Sequence, residues 1–144
     1  MTLSRIAIAC SIAALAGSVH ALTLGDLVDR GAQRLTPAEA VKATPMQVIR
    51  ENADSDARMT LHADGTVSGT VLNKQGFGTS EAAGKWTMDD TGKRCVAVDL
   101  PAFRMMWNEC GYSLKLDGQI YHVASVTDRS APATPYLATA ILRP

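Results

Sequence analysis

The sequence predicts a mainly β protein with an N-terminal helical segment, an α+β chain whose small antiparallel β meander forms a barrel or sandwich held by one disulfide. Three observations carry this expectation. From Met46 onward, short apolar alternations are separated by turn signals: Asp64-Gly65, Asn73-Lys74-Gln75-Gly76, Asp89-Asp90-Thr91-Gly92 and Asp117-Gly118. Asp-Gly between alternating strands is a strong hairpin signal, because both central turn residues need positive φ. The strands so delimited recur at roughly eight to twelve residues, the spacing of an antiparallel meander. Finally, the chain opens on an export signal and keeps two cysteines beyond it, which fits an oxidising compartment.

Residues 1–21 read as a secretory signal peptide: Arg5 supplies the positive start, Ile6 to Val19 the apolar run, and Val19-His20-Ala21 a small residue at the cleavage position with a tolerated one two before it. The run is short of the roughly 20 residues of a membrane span, and no second long apolar run follows. Cys10 lies inside the run rather than after it, which argues against lipidation. Cleavage after Ala21 leaves a chain that starts at Leu22, has no membrane span and is periplasmic or secreted. Its cysteines are Cys95 and Cys110, so one disulfide is possible. Their spacing has no zinc-motif character, and closing a loop of about 15 residues contributes on the order of 3 kcal/mol.

Residues 22–45 form the helical segment. Leu24, Leu27, Val28 and Leu35 recur near one helical face, weakened by Gly31. Thr36-Pro37-Ala38-Glu39 is a capping box with proline at the first helical position, and it starts a short helix from Pro37 to about Ala43 that Thr44-Pro45 stops.

Residues 46–144 form the β domain. The expected strands are Met46–Arg50, Arg58–His62, Thr66–Leu72, Ala83–Met88, Arg94–Leu100, Met105–Leu116 with a break near Gly111, Gln119–Val126 and Tyr136–Leu142. Alternation places Trp86 with Met88, and Val96 with Val98 and Leu100. It places Cys110 with Tyr112, Leu114 and Leu116 in the core set, so that Cys95 needs a bulge or a strand start to reach it. Asp128 to Pro135 reads as a loop.

Composition narrows the function. Lys+Arg and Asp+Glu are 14 each, the net charge is zero and the pI is about 6.8, which excludes binding nucleic acid by phosphate neutralisation. No motif of a nucleophilic hydrolase or zinc protease is present. His62 and His122 are the imidazole bases available to a hydrolase, with Ser125 and Asp128 nearby in sequence, but polar surface or turn-end positions explain both histidines. Asp89 and Asp90 fit turn hydrogen bonding better than acid–base catalysis, and Asp54-Ser55-Asp56 lacks the rest of a calcium loop. Met46, Met59, Met88, Met105 and Met106 with the two histidines could suit Cu(I), yet their spacing scatters them over both strand faces. No metal or cofactor is expected. Phe103, Arg104, Met105, Met106 and Trp107 lie between the two cysteines and form the candidate recognition loop, with core filling under the loop as the alternative use of Phe103, Met106 and Trp107.

The succession Asp64-Gly65-Thr66, Gly84-Lys85-Trp86, Gly92-Lys93-Arg94-Cys95 and Cys110-Gly111-Tyr112 resembles that of small exported proteobacterial domains of unknown function. The resemblance covers residues 58–123 and implies an exported small β domain, with no catalytic residues. The expected function is an exported, non-enzymatic binding or interaction domain: an inhibitor, an envelope accessory protein or a carrier whose partner is a protein or a small apolar ligand. The alternatives are a periplasmic hydrolase using His62 or His122 and a Met/His metal-binding protein.

Overall fold

The computed structural model describes residues 21–138. The expected signal segment, except Ala21, and the end of the last expected strand lie outside the described residues. Helices α1 (Leu24–Asp29) and α2 (Pro37–Lys42) flank a two-residue strand β1 (Gln33–Arg34). The remaining strands are β2 (Met46–Glu51), β3 (Ser55–Leu61), β4 (Thr66–Asn73), β5 (Gly78–Met88), β6 (Lys93–Leu100), β7 (Met105–Leu116), β8 (Gln119–Val123) and β9 (Ala133–Ala138).

Every neighbouring pair is antiparallel. Strands β2 to β8 pair in chain order, β9 pairs with β8, and β9 returns to β2 through Met46–Ala138 and Gln47–Leu137. The sheet is therefore a nearly closed barrel, which leaves few free strand edges. Inward positions follow the period of two: Met46 and Val48 on β2, Ala57, Met59 and Leu61 on β3, Trp86 on β5, and Val96, Val98 and Leu100 on β6. These form the main core.

The capping box at Thr36 is present in full: the Glu39 amide donates to Thr36 Oγ1 at 3.3 Å and the Thr36 amide to Glu39 Oε2 at 3.0 Å. The helix so started sits at one end of the barrel. Leu35, Ala40 and Ala43 join Met46, Leu61 and Trp86 in the core and plug that end. Trp86 is anchored there by its indole N–H, which donates to His62 O at 2.8 Å.

Three expectations are corrected. The first helix does not extend to Leu35. Gly31 adopts φ +83°, which favours glycine, and ends α1, so that Gln33 and Arg34 can pair with Lys115 and Leu114. Strand β7 runs through Gly111 without a break. The third correction concerns the disulfide. Cys95 and Cys110 are directly opposed in the β6–β7 ladder and bonded, so no bulge is needed. Both point away from the barrel. Cys110 does share a face with Leu114 and Leu116, but that face is the outer one. Leu114 and Leu116 are buried because α1 covers them: with Leu24, Leu27, Val123, Ala131 and Ala133 they form a second, smaller core outside the barrel. A strand buried on different faces at its two ends shows one alternation with two meanings.

Candidate functional site

The end of the barrel opposite α2 is open. A cavity of about 270 Å³ enters there. Its apolar wall is made by Met59, Val71, Leu100, Phe103, Met105 and Trp107, and its polar groups are Arg50, Asn52, Asp54, Ser55 and Asn73. That volume falls just below the roughly 300–1,000 Å³ typical of small-molecule sites, and five of the twelve lining residues are polar or charged.

Each wall residue is placed by its strand phase. Met59 and Ala57 alternate inward on β3, Val71 and Asn73 on β4, and Met105 and Trp107 on β7. The candidate recognition segment is not a free loop. Pro101–Phe103 is a single 3-10 turn, Arg104 takes a left-handed φ of 52°, and Met105 to Trp107 already belong to β7. Phe103 and Trp107 are half-buried against the main core, while Met105 and Met106 are exposed. Phe103, Met105 and Trp107 thus face the cavity, and Arg104 and Met106 do not line it.

Beneath the cavity a chain of polar side chains crosses the barrel interior. Arg50 lies with its guanidinium 5.5 Å from the Trp107 ring centroid and donates to Glu109 Oε1. The same oxygen is 3.0 Å from His122 Nε2. His122 Nδ1 is 3.4 Å from Arg94 Nη2, and that nitrogen donates to the Tyr136 hydroxyl. The Arg94 guanidinium also stacks on the Tyr136 ring at 4.7 Å. Arg94, His122 and Tyr136 are all buried. Two buried atoms of the chain, Arg94 Nε and Glu109 Oε2, have no hydrogen-bond partner among the described residues. Buried polar atoms normally find one.

Gly111 makes this chain possible. A Cβ at that position would lie 2.0 Å from His122 Cε1 and 2.7 Å from Nε2, so the imidazole occupies the space a side chain would need. The expected break near Gly111 is a close approach instead.

Charge follows geometry. Burial pushes the Glu109 carboxyl up, but the hydrogen bonds from His122 and Arg50 and the charge of Arg50 outweigh it and hold the group at about 2. Burial pushes the Tyr136 hydroxyl up to about 12 against the opposing charge of Arg94.

Other sequence candidates resolve into local roles. His62 is half-buried after β3, with Nε2 2.8 Å from Ser68 Oγ. His122 is neither a surface nor a turn-end residue, which corrects the expectation. Its polar partners are Glu109 and Arg94, and no serine is among them. Ser125 accepts from the Thr127 and Asp128 amides, and Asp128 accepts from the Ser130 amide and hydroxyl. Asp89 accepts from Thr91 and Lys93 within its turn. Met46 and Met59 are core residues. Among the described residues no group of three or more His, Cys, Asp or Glu is arranged to hold a metal ion, and no helix is long and apolar enough to cross a membrane.

The sequence did carry a signal for the interior chain. Arg50 is in phase with Met46 and Val48, Arg94 with Val96 and Val98, and His122 with Ile120. A charged or polar residue on the apolar phase of its strand marks an interior polar group.

In comparisons with known proteins, no family model, no curated protein and no solved structure matches the chain.

Proposed function

We propose that this protein is an exported, non-enzymatic carrier that holds a small, largely apolar molecule at the open end of its barrel. The observation that carries the reading is the cavity of about 270 Å³ walled by Met59, Phe103 and Trp107 at one end of a barrel whose other end α2 plugs. A plugged barrel with an apolar mouth suits one small ligand. The disulfide supports export, because such bonds persist in oxidising compartments. The interior histidine is committed to Glu109 and Arg94, which supports binding over hydrolysis.

Native mass spectrometry of protein purified from cells that export it tests the reading. A bound small molecule, lost when Trp107 is changed to Ala, supports a carrier. A second reading, a protein-binding module, is favoured by the exposed Phe77 and Met106 near the hairpin tips on the same end of the barrel. It predicts an added polypeptide mass and no small ligand.

A further inference from the structure

We infer that the carried molecule is an organic anion, a small carboxylate or an equivalent acid, whose charged end pairs with Arg50 while its apolar body lies against Trp107, Phe103 and Met59. This rests on the carrier reading and adds the ligand's charge. The argument is one of balance in a low-dielectric interior. The polar chain crossing the barrel contains two guanidiniums, Arg50 and Arg94, and one carboxylate, Glu109. Glu109 is shared between Arg50 and His122 through a single oxygen. Arg94 is 4% exposed, and its partners, Tyr136 and His122, carry no negative charge to offset it.

Among the described residues no other carboxylate side chain reaches the interior: Asp26, Asp64, Glu81, Asp89, Asp90, Asp99 and Asp128 are exposed. Every Asp and Glu side chain of the protein lies between Asp26 and Asp128. Glu39 pairs with Lys115, Asp56 with Lys74, Glu51 with Arg58, Asp29 with Arg129 and Asp117 with Arg30. Asp54, the one acidic residue at the mouth, is exposed and accepts from Gln75 Nε2 at 2.7 Å. The interior therefore carries an excess positive charge, and a buried cation without a counter-ion is costly. A ligand anion on Arg50 balances the charge of the chain as a whole, although Arg94 itself does not line the cavity.

Arg50 is the group positioned to receive it. It lines the cavity, its side chain is 38% exposed, and the Trp107 ring beneath the guanidinium fixes its orientation. Its Nη2 is used on Glu109, and among the described residues the rest of its donor fork has no acceptor. A planar fork pairs well with a carboxylate.

The test is calorimetric titration of the intact protein with three probes of one skeleton: phenylbutyrate, phenylbutyramide and phenylbutylamine. Phenylbutyrate is expected to bind at least about tenfold tighter than the amide, the scale of one charge-assisted hydrogen bond, with the amine weakest. Arg50→Gln is expected to bring the affinities of acid and amide together, whatever their absolute values, while Arg50→Lys keeps the charge and part of the preference. Equal binding of acid and amide, or tightest binding of the amine, overturns the anion assignment and leaves the carrier standing. An acid preference unchanged in Arg50→Gln overturns the role of Arg50. Binding of none of the three overturns the carrier reading and this inference with it. The comparison of probes on the unaltered protein decides the matter even if the variants fold poorly.

Discussion

Replacing Glu109 with Gln keeps the shape of the side chain and removes the charge on which the interior chain converges. The group is held at about 2 in the folded protein against an ordinary value of 4.5. A depressed carboxyl contributes stability that is present above the unfolded value and lost as pH falls through the folded one. The window is therefore about pH 4.5 down to pH 2. At about 1.36 kcal/mol per pH unit, the full contribution is on the order of 3 kcal/mol. Glu39 is also held at about 2, first by its hydrogen bond from Lys115, and loses its contribution in the same window. The informative quantity is thus the difference between wild type and Glu109→Gln. Urea unfolding followed by circular dichroism at several pH values gives it. The variant should be less stable near neutral pH, and the gap should close by up to about 3 kcal/mol toward pH 2. A gap that stays constant across that range would refute the claim that Glu109 is the charge that Arg50 and His122 hold.

Further outcomes follow from the same contacts. Gly111→Ala should destabilise the protein by about 1–3 kcal/mol, because the new methyl group collides with the His122 ring; combining it with His122→Ala should cost less than the sum of the single changes, as a thermal-unfolding double-mutant cycle reads. Cys95→Ser should lower stability by about 2–5 kcal/mol, and reductant should have the same effect on the wild type and none on the variant. The Tyr136 hydroxyl is raised to about 12, so its contribution is complete below about pH 10 and fades as pH rises toward 12. A phenolate absorbance titration should show one late tyrosine that disappears in Tyr136→Phe. Thr36→Ala should remove about 1 kcal/mol with the cap of α2, measured by chemical denaturation.

What the sequence revealed was local. The Thr36 capping box, the hairpins at the Asp-Gly turns and the inward phase of Val96, Val98 and Leu100 each depend on residues within a few positions and are present. Of the two Asp-Gly turns, however, only Asp117-Gly118 has positive φ at both residues, and Asp64-Gly65 has it at the glycine alone. The disulfide partners followed from there being two cysteines beyond the expected export signal. The outward face of Cys110 did not, because alternation shows which residues share a face but not what covers it. Only the packing of α1 on Leu114 and Leu116 decides that. The cavity wall was legible in part: Phe103, Met105 and Trp107 were singled out, whereas Met59 and Val71 come from the β3–β4 hairpin, which only the closure of the sheet brings opposite that segment. The interior chain draws Arg50, Arg94, Glu109, His122 and Tyr136 from β2, β6, β7, β8 and β9. Nothing in a local window brings five strands to one point, although each charged residue in phase with apolar neighbours was a visible sign.

The two tryptophans allow the most direct test of where a ligand binds. Trp107 faces the mouth, and the Trp86 indole is fixed at the plugged end by His62. Nuclear magnetic resonance of the two indole N–H groups during titration with phenylbutyrate should move the Trp107 signal progressively and leave the Trp86 signal in place. A Trp107 signal that stays fixed at saturating probe, or a shift confined to Trp86, would contradict a carrier that binds at the open end of the barrel.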